Sequence, residues 1–293
     1  MKKEKKRIAP NEASLGRWIC VVLVTFIISN IISIPMALFE RTLPESFLGV
    51  DHSTMDSMLT FASLFVAFVI ALKLVGKTSL KEFVLGVGGE VNKKEMLTVL
   101  GLYVAGYLLS YLPVLGYVQL RGVKAEEFGS LALFTLVFLW MQTTVEELLF
   151  RGILVRWACK NNLRFTKKSV IMLVLTAVAF GLAHASNPEV TTLSGIRAAM
   201  AVATYCISGV MYFVTALYFG NLLPGILIHW ANNYIGFVLI SEEVTVISTP
   251  TLLLDTTPHS AEWMLINKIL TWLPVAVYIF LDYRKKKKSA ATL

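Results

Sequence analysis

Long runs of apolar residues, separated by short segments that hold most of the charges, organise this sequence from end to end. Eight of these runs have about the length, roughly 20 residues, with which an α-helix crosses the ~30 Å hydrocarbon layer of a bilayer. They cover residues 18–39, 57–76, 96–120, 128–157, 169–187, 198–220, 222–240 and 263–281. The pattern predicts an all-α, polytopic integral membrane protein with about eight transmembrane helices.

The composition agrees with this prediction. Hydrophobic residues make up 56% of the chain and charged residues 16%, and the mean hydropathy is +0.68. Soluble domains are nearer 45–50% apolar and about 25% charged, so one water-soluble core is excluded. The first apolar run follows a basic start, but it is longer than the apolar part of a signal peptide and no clear cleavage site follows. We therefore expect a retained helix.

The basic residues are distributed unevenly between alternate loops. With the N-terminus inside, 21 of the 27 Lys and Arg residues fall in cytoplasmic segments and 4 in the opposite loops. This positive-inside bias predicts an even number of spans and cytoplasmic termini. We divide the chain into a basic N-terminus (1–17), an eight-helix domain (18–283) and a basic tail (284–293).

The tail fits a topology anchor beside anionic lipid headgroups, and we expect lipid but no nucleic acid as a partner. The short loops and basic start suit the plasma membrane of a bacterium. The two remaining basic residues, Arg151 and Lys268, lie inside predicted spans.

The fourth span contains Glu146, Glu147 and Arg151. Each such group costs roughly 2.5–3.5 kcal/mol at the centre of a membrane helix. Glu147 and Arg151 are spaced i,i+4 and share one face, so they can neutralise each other. Glu146 lies about 100° around the helix. It is therefore the better candidate for a general base, and Glu147–Arg151 for a structural pair. A buried ion network that only holds helices together is the alternative.

Two histidines also lie within predicted spans. His184 follows Phe180 by one helical turn, and Asn233 follows His229 by one turn. At a rise of about 1.5 Å per residue, the histidines and Glu146 all come near the middle of the membrane. Residues from three helices at one depth predict a single polar site.

The chemistry of this set is hydrolytic. The chain has no HExxH or GxSxG sequence, no CxxC pair and no cysteine beside an intramembrane histidine, which argues against zincins and serine hydrolases. A carboxylate and an imidazole can deprotonate water, and a His–Asn pair can donate hydrogen bonds to an oxyanion. A zinc ion bound by Glu146, His184 and His229 stays open as an alternative.

At these residues the sequence resembles the CPBP family, also called the Abi family, of CAAX proteases and bacteriocin-processing or immunity proteins. The family motifs EExxxR, FxxxH and HxxxN/D are complete and in order. They read Glu146-Glu147-Leu148-Leu149-Phe150-Arg151, Phe180-Gly181-Leu182-Ala183-His184 and His229-Trp230-Ala231-Asn232-Asn233.

The resemblance implies an eight-helix intramembrane endopeptidase whose core lies at about 128–240. It implies that Glu146 and His184 activate water and that His229 and Asn233 stabilise the oxyanion. Glu147, Arg151 and Phe180 would then support the site. No cofactor is expected, with zinc as the minority alternative.

The resemblance leaves the substrate open. We expect a membrane-associated or lipidated peptide or protein, in CAAX-type or bacteriocin and peptide processing. The main alternative is a noncatalytic protein of bacteriocin self-immunity or a membrane partner protein. A proton-coupled transporter is a third possibility, because intramembrane carboxylates often mark ion paths, but the chain shows no inverted repeat.

Overall fold

The computed structural model of the chain describes residues 13–44, 46–47, 50–86, 91–153, 166–245, 249 and 251–291. Ten α-helices account for most of them. In chain order they are α1 (Leu15–Glu40), α2 (His52–Ala71), α3 (Leu80–Leu85), α4 (Lys93–Ser110), α5 (Ala125–Glu147), α6 (Lys167–Ala183), α7 (Pro188–Thr191), α8 (Gly195–Phe219), α9 (Leu223–Tyr234) and α10 (Ala261–Ala291).

Three of these helices continue without a break into π-helical segments, in which the turn is wider. Leu72–Gly76 extends α2, Leu148–Ile153 extends α5 and Ile235–Leu239 extends α9. The segment after α5 begins directly after Glu147, and the one after α9 begins two residues after Asn233. The described part of the basic tail is helical, since α10 continues to Ala291.

Short strands connect helix ends. β1 (Ser46–Phe47) and β2 (Val50–Asp51) form an antiparallel pair. β5 (Leu253–Asp255) lies between β3 (Val118–Leu120) and β4 (Ile240–Glu242), antiparallel to β3 and parallel to β4. Because β3 follows α4 and β4 follows α9, this three-stranded sheet joins the ends of these two helices.

Five helical segments of the described residues are long and apolar enough to cross a membrane. They are Leu15–Glu40, Thr54–Gly76, Phe128–Ile153, Gly195–Phe219 and Ala261–Lys286. Their number and length agree with an all-α integral membrane protein, whereas the predicted count of eight is not confirmed.

The other three predicted spans correspond to shorter helices. α4 has 18 residues, α6 has 17, and α9 has 12 before its π-helical extension. The third span was expected to pass through Pro113 to residue 120. Instead, α4 ends at Ser110, and a 3₁₀ segment, Leu112–Tyr117, carries Pro113 in its first turn.

The outer surface of α1 is apolar. Leu23, Ile27, Ile31 and Ile34 recur at helical spacing and are 56–63% exposed. Contiguous apolar surface of this kind is rare in soluble monomers. It fits a helix that faces lipid.

The helices that carry the polar motifs lie between two apolar clusters. Val145 and Leu148 pack in a cluster that includes Trp18 and Phe68. Phe180 belongs to a second, aromatic cluster formed mainly by α4, α8 and α10. α9 contributes to both clusters, through Ile226 and Ile228. The charged residues between them are thereby held within packed protein.

Close packing of α4 against α10 predicts a sharp difference between two glycines of α4. A Cβ atom at Gly106 would lie 2.3 Å from the Thr271 backbone oxygen, whereas one at Gly101 would meet nothing within 4 Å. Gly106→Ala should lower the free energy of unfolding by about 1–3 kcal/mol through overpacking. Gly101→Ala should leave it unchanged or raise it by roughly 0.5–1 kcal/mol. Thermal unfolding of the two detergent-solubilised variants checks this, and equal stabilities would contradict the packing.

Candidate active site

The Glu147 carboxylate joins two of the three motifs. Its Oε1 atom accepts a hydrogen bond from Arg151 Nη1 at 3.0 Å and lies 2.9 Å from His229 Nδ1. Glu147 is 1% exposed and Arg151 is fully buried. Since a carboxylate only accepts, His229 carries hydrogen on Nδ1. One buried anion therefore holds both a guanidinium of its own helix and a histidine of α9.

Arg151 lies in the π-helical segment that continues α5. Its guanidinium carbon is 4.3 Å from the centroid of the Phe180 ring, a cation–π distance, and 5.4 Å from that of Tyr212. Nε and Nη2 of Arg151 have no hydrogen-bond partner among the described residues. Aromatic faces and the Glu147 carboxylate thus supply the surroundings that water would supply to an exposed arginine.

Glu146 has a different environment from its neighbour. It is 8% exposed, and within the described part of the chain its Oε2 atom has no hydrogen-bond partner. The His229 ring lies beside it, with Nε2 3.8 Å from Oε2. Tyr212 stacks on the His229 ring at 4.6 Å and 18°. Glu146 is the carboxylate of the pair that keeps a free oxygen.

His184 caps the C-terminus of α6 and does not lie inside a longer helix, as the predicted span 169–187 had placed it. Its Nδ1 is 2.7 Å from the Phe180 carbonyl oxygen, one of the carbonyls that a helix end leaves without a partner. A carbonyl only accepts, so Nδ1 carries the hydrogen and, in the neutral ring, Nε2 keeps its lone pair. Local helix geometry therefore orients His184 as a proton acceptor.

Phe180 lies between the two histidines. The centroid of its ring is 4.4 Å from that of His184 and 5.6 Å from that of His229. His184 interacts electrostatically with Glu146 and His229. The structure thus brings the three ionisable groups into one region, with Phe180 packed against both rings.

A hydrogen-bonded network supports the other face of His184. Tyr205 of α8 stacks on the His184 ring at 4.3 Å and 17°. The Tyr205 hydroxyl donates to the buried Glu189 carboxylate, and Asn187 Nδ2 donates to both at 3.0–3.1 Å. His259 lies 3.0 Å from the Glu189 carbonyl oxygen. These contacts fix the turn after α6.

Asn233, the last motif residue, accepts a hydrogen bond from the adjacent Asn232. Asn232 Nδ2 donates to Asn233 Oδ1 at 2.9 Å. Asn232 Oδ1 in turn accepts from the Tyr103 hydroxyl at 2.6 Å. α4 therefore reaches the predicted site through a tyrosine.

Contacts connect six of the seven residues singled out in the sequence, whereas Asn233 follows His229 by one turn of α9 and has its described hydrogen bond with Asn232. The roles of all seven stay predictions. Sequence reasoning missed the bond between Glu147 and His229, because it depends on how α9 packs on α5. It also missed Tyr205 and Tyr212, since nothing in the sequence separates them from the other tyrosines. Asn232 could have been noticed, because it is a polar residue directly beside the motif residue Asn233 in the sequence.

The zinc alternative requires donor side chains that meet at one point. No group of three or more His, Cys, Asp or Glu side chains in the described ranges is arranged to hold a metal ion. His184 and His229 each use Nδ1 in a hydrogen bond and keep Nε2 free, as metal-binding histidines also do. The grouping of the donors, and not these bonds, argues against the zinc alternative.

Comparison with known proteins agrees with the motifs. Residues 128–235 match the family model described as type II CAAX prenyl endopeptidase Rce1-like. This match confirms the resemblance to the CPBP family and supports a membrane endopeptidase in general terms. Neither the curated proteins nor the solved structures give a significant match.

The shared role of Glu147 generates a prediction on stability. Arg151→Met leaves a buried carboxylate without its cation, which should lower the free energy of unfolding by about 3–5 kcal/mol. Adding Glu147→Gln removes the uncompensated charge, while the amide oxygen still accepts from His229. The double variant should therefore be more stable than Arg151→Met alone in detergent unfolding. A double variant that is less stable than Arg151→Met would contradict the pairing.

Proposed function

We propose that this chain is an intramembrane endopeptidase that hydrolyses peptide bonds of a membrane-associated or lipidated peptide or protein. The observation that supports it most directly is the buried Glu146 carboxylate, whose Oε2 has no hydrogen-bond partner among the described residues and lies beside His229. Glu147, one residue along, has two partners. Two adjacent carboxylates in different environments are suited to different tasks.

In the proposed reaction, Glu146 and His184 activate water. Glu146 Oε2 and His184 Nε2 are the two acceptors without an assigned hydrogen, and one of them takes a proton as the water oxygen adds to the scissile carbonyl carbon. The same proton then passes to the leaving nitrogen as the carbon–nitrogen bond breaks. Positioned acid–base groups of this kind contribute about 10²–10⁴-fold to a rate.

His229 and Asn233 stabilise the oxyanion in this proposal. Glu147 holds His229 through Nδ1, which leaves Nε2 directed away from that bond and towards Glu146. In this proposal His229 also carries a hydrogen on Nε2. Nε2–H and the Asn233 amide then donate to the tetrahedral intermediate, as oxyanion-hole donors do.

The proposal includes a lipid-anchored substrate and eight spans with cytoplasmic termini. The family match concerns prenyl endopeptidases, which favours a lipid-anchored C-terminus over other peptides. α4, α6 and α9 complete eight spans with the five longer segments, and the uneven distribution of Lys and Arg favours cytoplasmic termini. A lipidated substrate on the cytoplasmic leaflet reaches such a protein from the bilayer. We place the protein in a bacterial plasma membrane.

Substitution of the two water-activating residues tests the proposal. Purified protein in liposomes is incubated with a farnesylated CAAX-type peptide, and products are identified by mass spectrometry. Glu146→Gln and His184→Ala should lower the cleavage rate by about 10²–10⁴-fold. Glu126→Gln is the matched control, because Glu126 is exposed at the other end of α5, and it should keep the full rate.

Retained cleavage in both active-site variants would contradict the catalytic roles. The same variants separate the enzyme from the noncatalytic alternative. A self-immunity or partner protein predicts that Glu146→Gln keeps full biological function in cells.

The arrangement of the donors predicts the response to chelators. Because the described residues contain no group of three His, Cys, Asp or Glu side chains that could hold a metal ion, the cleavage rate should be unchanged after exhaustive dialysis against a strong chelator. The measurement is the same peptide assay, with metal content followed by elemental analysis. A rate that is lost on chelation and restored by zinc would favour the zinc alternative.

A further inference from the structure

We propose that Tyr103, Asn232 and Lys268, here called the Asn232 network, orient the Asn233 amide so that its N–H groups face the oxyanion. The inference rests on the proposed function, since it assumes that Asn233 acts on the oxyanion. Tyr103 and Lys268 lie on α4 and α10, outside the residues 128–235 that match the family model. They would be positioning residues, acting on the reaction only through Asn233.

The geometry of the network is a chain of directed hydrogen bonds. Asn232 Oδ1 accepts from the Tyr103 hydroxyl at 2.6 Å and from Lys268 Nζ at 3.4 Å. Asn232 Nδ2 donates to Asn233 Oδ1 at 2.9 Å. Three helices, α4, α9 and α10, thereby meet at one amide.

Hydrogen-bond chemistry gives this chain one direction. A lysine ammonium has three donors and no acceptor, so Lys268 requires the oxygen of Asn232 to face it. The amide of Asn232 is then fixed with its NH₂ group towards Asn233. Asn233 must present its oxygen to that group, which leaves its own NH₂ group to donate elsewhere. The reversed amide would present an oxygen to the oxyanion and repel it.

The position of Lys268 supports a specific role. It is the only charged residue in the predicted span 263–281, where a lysine costs roughly 2.5–3.5 kcal/mol to insert. Tyr103 is fully buried, with its ring 4.6 Å from that of Trp272 on α10. The Lys268 ammonium also interacts electrostatically with Glu242 at the end of β4. A role as counterion to Glu242 alone is the competing explanation.

Asn232→Asp separates these explanations. Aspartate keeps the shape and the acceptor for Tyr103 and Lys268, but it has no N–H to donate to Asn233. If the network orients Asn233, kcat for the farnesylated peptide should fall about 10-fold with KM unchanged, part of the 10²–10³-fold that loss of an oxyanion donor costs. If Lys268 serves only Glu242, kcat should be unchanged.

A double-mutant cycle with Asn233→Ala makes the test specific. Once Asn233 is removed, Asn232→Asp should cause no further loss of kcat, because its effect passes through the missing amide. Asn267→Ala is the matched control: Asn267 precedes Lys268 on α10 and donates to Ser110 of α4 at 3.0 Å. Asn267→Ala should leave kcat unchanged, both with Asn233 present and in the Asn233→Ala variant. If it lowers kcat as much as Asn232→Asp does, the inference is overturned.

A lysine variant keeps the inference testable if the aspartate variant does not fold. Lys268→Met should lower kcat without changing KM, and Lys268→Arg, which is also only a donor, should restore most of it. Equal losses in both variants, or additive losses in the double-mutant cycle, overturn the network. If Asn233→Ala alone leaves kcat unchanged, the oxyanion role of Asn233 fails and the network with it. If Asn233→Ala loses kcat but Asn232→Asp does not, only the network fails.

Discussion

The structure depends on how it neutralises charge inside a bundle whose outer surface is apolar. Glu147, Arg151 and His229 are buried within packed protein, and one carboxylate oxygen binds both the guanidinium and the imidazole. Such a charge is tolerated only when it is paired and hydrogen-bonded. The Glu147 contacts join α5 to α9, and Phe180 of α6 covers the guanidinium. One ion pair therefore contacts side chains of all three motif-bearing helices.

This arrangement also explains why adjacent glutamates differ. Glu147 uses one oxygen for two partners, whereas Glu146 is directed about 100° around the helix and keeps a free oxygen. Aromatic rings enclose the region: Tyr212 lies on His229, Tyr205 on His184 and Phe180 between the histidines. They keep the rings in place without competing for their Nε2 atoms. One glutamate thus serves the structure and leaves the other available for chemistry.

The sequence predicted what depends on local periodicity. The i,i+4 spacing indicated the contact between Glu147 and Arg151, and the apolar runs indicated the five longest spans. It could not predict contacts made across helices, such as His229 on Glu147 or Asn232 on Tyr103. It also missed the π-helical segments after Glu147 and Tyr234 and the end of α6 at Ala183, because hydropathy does not report backbone hydrogen bonding. The prediction that the third span is helical to residue 120 was wrong at its end, where α4 ends at Ser110 and Pro113 lies in the first turn of a 3₁₀ segment.

The central claim is that Glu146 makes this polar region a peptidase site. Its most direct test is a comparison of peptides, by mass spectrometry of membranes and medium, from cells with the unaltered protein and cells with Glu146→Gln at the same level. The account predicts peptides with new termini that occur only with the unaltered protein and share one kind of cleavage position. Identical peptide profiles, together with unchanged biological function in the Glu146→Gln cells, would contradict it.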